Sequence, residues 1–106
     1  MKYLHNYKNI PEHNMNGFEN YLIHGIEPGS FLMAVLTNDL YGAVFKADSA
    51  NLIHIPHIVS FLHTVPSICF GNIENVRRWM NDADGIRSEY VTRLRQQRIS
   101  DIIETE

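Results

Sequence analysis

The chain is expected to fold as an all-α protein: a small single domain, residues 1–106, built as a bundle of about four to five helices with an N-terminal extended arm. Three observations carry this. Apolar residues recur at three- and four-residue spacing over several segments, which places them on one side of a helix. Those segments are bounded by Asp, Asn and Ser at their starts and by Gly or Pro at their ends. The chain has 106 residues, of which 44% are hydrophobic and 20% charged, enough apolar surface for one core and too little length to divide it into two.

Residues 1–10 alternate aromatic and polar types without a helical stripe and are read as an arm that docks on the body or on a neighbour. Pro11 suits a helix start, and Met15, Phe18, Tyr21 and Leu22 form the stripe of a helix that Gly25 stops. Glu27-Pro28-Gly29-Ser30 is a turn with Ser30 available as an N-cap. Phe31–Leu36 is apolar all round, and its Leu, Met and Ala favour helix over strand. After a break near Thr37-Asn38, Leu40, Val44 and Ala47 make a further stripe, in a helix that Gly42 weakens.

Asp48 or Ser49 is a cap for a third region, in which Leu52, Ile55, Val59 and Leu62 share a face. Pro56 fits only near a first turn or at a kink, so this helix is expected to start late. Val65-Pro66 ends it, and Asn72 caps a helix carrying Ile73, Val76, Trp79 and Met80 that stops by Asp84-Gly85. The last segment places Ile86, Tyr90, Val91 and Leu94 on one stripe. The apolar residues Ile99, Ile102 and Ile103 then resume out of phase, which suggests a break near Gln97 or a tail over 98–106 that pairs with another surface.

The formal charge of −3 argues against a general nucleic-acid coat, yet all six arginines lie in the last third of the chain. The single cysteine, Cys69, closes no intrachain disulfide and points to a reducing compartment, and the longest apolar run is far below the roughly 20 residues that span a bilayer. No signal peptide is read at the N-terminus. A cytoplasmic protein without a membrane segment is expected.

No catalytic, cofactor or metal motif stands out. His54, His57 and His63 share a region, but Pro56 interrupts the helix that would align them and no HExxH or paired Cys/His set is present, so no metal site is assigned. Cys69 sits among apolar neighbours, as a buried thiol does and an activated one does not. Two sets of residues are candidates for partner binding. Asn38, Asp39, Asp48 and Asn51 bound the most apolar part of the chain and are either caps or the polar lining of a groove. Arg77, Arg78, Trp79, Arg87 and Arg95 form a candidate contact face, since Trp and Arg are enriched at interfaces; the competing reading puts Trp79 in the core.

The run from Gly25-Ile26-Glu27-Pro28-Gly29-Ser30-Phe31-Leu32 through Asn38-Asp39-Leu40, followed by Ala47-Asp48-Ser49-Ala50-Asn51 and then Pro66, Gly71 and Trp79, resembles a family of short uncharacterised bacteriophage and prophage accessory proteins. The resemblance covers about residues 11–80. It implies a non-catalytic protein, not an enzyme, that binds and modulates or inhibits a host protein, an anti-phage defence factor being one such target. Two alternatives compete on charge logic: an oligomeric sponge for a small anionic nucleotide held by arginines, and a nucleic-acid binder using the arginine-rich third. A homodimer or larger oligomer is expected and is compatible with each, because a small domain has limited interior for its arm and its isoleucines.

Overall fold

The computed structural model describes residues 9–105, with side chains through Ile99. Residues 1–8 of the expected arm, and the side chains of the expected tail beyond Ile99, lie outside the described residues. Among the described residues the fold is all-α: α1 (Glu12–His24), α2 (Ser30–Leu36), α3 (Leu40–Lys46), α4 (Ser49–Leu62), α5 (Ile73–Met80) and α6 (Ile86–Thr105), with short 3-10 turns at Ser67–Cys69 and Ala83–Gly85. No helix among the described residues is long and apolar enough to cross a membrane.

One cluster of buried side chains forms the core, centred on Met15, Phe18, Tyr21 and Leu22 of α1. Phe18 meets Phe61 of α4 at a ring separation of 4.9 Å, and Trp79 of α5 meets Tyr90 of α6 at 5.5 Å. Two buried polar contacts fix the layers. The Asn14 side-chain amide donates to the Asn51 side-chain oxygen, joining α1 to α4, and the Tyr21 hydroxyl donates to the Cys69 carbonyl. Burial pushes the Cys69 thiol up to about 12, so it is protonated and inert near neutral pH.

Local chemistry sets most helix ends. Gly25 adopts a left-handed φ of 68° and its amide closes α1 on Tyr21. At the end of α2, Asn38 takes a φ of 63°, its N–H donates to the Val35 carbonyl, and the Asp39 N–H donates to the Ala34 carbonyl, a Schellman closure. Asp39 then caps α3 by accepting from the Gly42 N–H at 2.9 Å. The same glycine gives the capping carboxylate its room, because a Cβ there would overlap the Asp39 side chain. Asp48 caps α4 and Asn72 caps α5, each accepting at 2.8 Å from the amide three residues on.

Several expectations are corrected. Ser30 is the first residue of α2, and Gly29 occupies the N-cap without a side-chain bond. The α4 helix does not start late: it begins at Ser49 and contains Pro56. Leu52 and Pro56 are both exposed, so the Leu52 carbonyl that loses its helical donor is on the water side, where its loss costs least. The buried face of α4 holds Asn51, Ile58, Phe61 and Leu62, whereas Leu52 and Val59 are exposed. In α3 the inward residues are Gly42 and Ala43, and the expected stripe members Leu40 and Val44 face outward. The last helix runs past Gln97 without a break.

Asp82 organises the start of α6. Its carboxylate accepts from the Arg87 N–H at 2.9 Å, from the Ser88 N–H at 3.0 Å and from the Ser88 hydroxyl. These bonds, the Ser88 hydroxyl foremost, hold its carboxyl below the usual carboxylate range. A group with a depressed native pKa stabilises fully above its unfolded value and loses that contribution as the pH falls through the folded one. Urea midpoints should therefore decline on acidification below the ordinary carboxylate range, and Asp82→Asn should be less stable at neutral pH with a flatter acid limb. An unchanged acid limb in the variant would assign the pH dependence elsewhere.

Candidate groove between α2, α4 and the 66–71 loop

The loop after α4 is drawn onto the end of α2 by a 2.7 Å bond from the Gly71 N–H to the Leu36 carbonyl, one of the acceptors that the helix end leaves open. This closure creates a depression of about 310 Å³. Val35 of α2, Val59 and Leu62 of α4, and Phe70 of the loop supply its apolar walls, while Asn38 and His63 stand beside them as its polar members. The Asn38 and His63 side chains are exposed and hold no hydrogen bond among the described residues. A narrower extension of about 90 Å³ runs from Val35 and Val59 past Asp39 to Leu40 and Ala43. On the outer side of α3, Leu40, Tyr41, Val44 and Phe45 enclose a shallow hollow of about 400 Å³.

The expected polar set divides. Asn38 and Asp39 line the groove and its extension. Asp48 is the α4 cap, and Asn51 is buried against Asn14, so neither borders these depressions. The reason is spacing: Asn38 and Asp39 lie in the turn between two helices, whereas Asp48 and Asn51 are spent on starting the next one.

The expected Arg/Trp face also divides. Trp79 is fully buried and belongs to the core. Arg87 is half-buried and acts as an internal strut: its guanidinium donates to the Trp79 carbonyl at 3.1 Å, the Ile23 carbonyl at 3.1 Å and the Met80 carbonyl at 3.4 Å. It thereby caps the C-terminal ends of α1 and α5 together, where the helix dipoles favour a cation. Arg78 pairs with Asp84 at 3.0 Å across exposed surface, a contact of small energetic weight. Arg77 and Arg95 are exposed. No arginine lines any of the three depressions.

The rings of His54 and His57 lie 5.6 Å apart, and no group of three His, Cys, Asp or Glu side chains fit to hold a metal occurs among the described residues. Sequence reasoning missed the groove walls Val35, Val59 and Phe70, which come from three separated segments. It also missed the outward aromatics Tyr41 and Phe45. The signal for those was present in Gly42-Ala43, the small pair that marks the closely packed side of α3.

No protein-family model, curated protein or solved structure matches the chain.

Proposed function

We propose that the chain is a non-catalytic accessory protein of the phage type that binds a host protein in the cytoplasm and modulates or inhibits it, using the groove between α2, α4 and the 66–71 loop. One observation carries this reading: an apolar depression whose exposed polar neighbours, Asn38 and His63, have no partner among the described residues. Its volume of about 310 Å³ is at the small end of ligand sites and suits one bulky apolar anchor from a partner, as interface hot spots do. The Asn38 amide can both donate to and accept from the backbone flanking such an anchor. Valine, leucine and phenylalanine walls bind by excluding water and give directionless affinity, so Asn38 and His63 would set orientation.

The test compares the full chain with Val59→Asp, which places a charge on the groove wall, and with Arg77→Ala as a control on the arginine-rich side. Quantitative capture from bacterial lysate should enrich a specific host protein, with at least about a tenfold loss for Val59→Asp and little change for Arg77→Ala. Circular dichroism confirms the fold of each variant. Equal capture by wild type and Val59→Asp would remove the groove from the reading.

A further inference from the structure

The helix α3 is built inside out. Its inward face offers only Gly42 and Ala43, while Leu40, Tyr41, Val44 and Phe45 are 72%, 80%, 46% and 76% exposed. An isolated seven-residue helix is unstable in water, and most helices are held by burial of their large apolar side chains. Here those side chains face solvent. Tyr41 and Phe45 stack on each other at 6.0 Å with their planes within 8°, which joins them into one exposed apolar ridge that walls the shallow hollow they enclose with Leu40 and Val44.

We propose that this face is the interface between two copies of the chain, with α3 packed antiparallel on α3 of the second copy about a two-fold axis. Three observations select a second copy as the occupant. The first is area: the four side chains expose roughly 600 Å², so two copies can bury up to about 1,200 Å², enough to reach the approximately 1,000 Å² that a specific interface needs. The second is shape, since a ridge and a hollow on one surface can be exchanged across a two-fold axis. The third is charge. Asp39 stands at the N-terminal end of α3 and Lys46 at its C-terminal end, and Lys46 has no partner among the described residues. In an antiparallel pair each Lys46 meets Asp39 of the other copy, and the two helix dipoles oppose each other favourably. A parallel pair would set like charges together.

This inference does not rest on the groove reading, although Asp39 and Leu40 also border the narrow extension of the groove, and its test is read separately. Light scattering coupled to gel filtration of the full chain should give a dimer mass that dissociates in the micromolar range. Phe45→Glu should be monomeric with unchanged helix content, and Tyr41→Ser should weaken the dimer at least about tenfold by removing the stacked ridge. Lys46→Glu should weaken it a few-fold at low ionic strength and less at high salt, because exposed pairs are screened. Val59→Asp should leave the mass unchanged. A monomer at hundreds of micromolar, a dimer insensitive to Phe45→Glu and Tyr41→Ser, or a dimer indifferent to Lys46→Glu at low salt would each overturn the proposal.

Discussion

Trp79→Ala is expected to lower the stability of the domain by about 3–5 kcal/mol, a large share of the roughly 5–15 kcal/mol that native domains have available. Trp79 is fully buried, the largest such side chain among the described residues, and packs against Tyr90 across the α5–α6 contact. Alanine would remove its transfer energy and leave a cavity that α5, tied by its Asn72 cap and by Arg87, can only partly close. Trp79→Phe should cost less than half as much. The indole Nε1 is buried without a hydrogen-bond partner among the described residues, so phenylalanine loses area but also sheds an unpaired donor. Urea denaturation followed by circular dichroism is the suitable measurement, because Trp79 is the single tryptophan and its fluorescence disappears with it. A loss below about 1 kcal/mol for the alanine variant would contradict its place in the core.

Arg87→Met is the second large effect, expected at about 2–4 kcal/mol. The methionine keeps much of the aliphatic stem but leaves the carbonyls of Ile23, Trp79 and Met80 without the guanidinium that bonds all three. The Ile23 and Met80 carbonyls are at helix C-termini, where no amide of the same helix can replace it, while the Trp79 carbonyl keeps the Asp82 N–H at 3.1 Å. Arg87→Lys should recover less than half of the loss, because an ammonium is a point donor and cannot span two helix ends as the planar fork does. The neighbourhood also explains Gly25. Beyond its left-handed φ, a Cβ at that position would approach the Arg87 guanidinium to 2.7 Å, so Gly25→Ala and Arg87→Met should be strongly non-additive in a double-mutant cycle. Additive losses measured by the same urea titrations would show that the strut and the α1 terminus act separately.

These two residues also show why the contact face expected from composition did not assemble. Tryptophan and arginine are enriched at interfaces, but both types also serve inside a domain when one has a core to fill and the other has carbonyls to bond. The arginine that matters most reaches Ile23, far away in sequence, and no spacing rule within the last third of the chain encodes that contact. The polar set is split by its local roles. Asn38 and Asp39 border the groove because the closure of α2 and the start of α3 place them between helices, a local event that the Thr37-Asn38-Asp39 run announces.

By itself the sequence determined the all-α class, the start of α5 at Asn72, the stop of α1 at Gly25 and the core stripes of α1 and α6; it offered Asp48 as a cap for α4 while Pro56 pointed to a later start. Caps and stripes act within about four residues, so their physics is written in neighbouring positions. Only the tertiary structure decided which side of α3 faces inward, how α4 carries Pro56, where Arg87 is spent, and that Val35, Val59 and Phe70 meet in one groove. Each of these depends on how the helices are placed in the fold, Pro56 because it falls on the exposed side of α4. In α3 the periodicity fits two faces, one large and one small, and a Cβ at Gly42 would overlap the Asp39 carboxylate that caps the helix, so the small pair Gly42 and Ala43 is buried and the larger residues face outward.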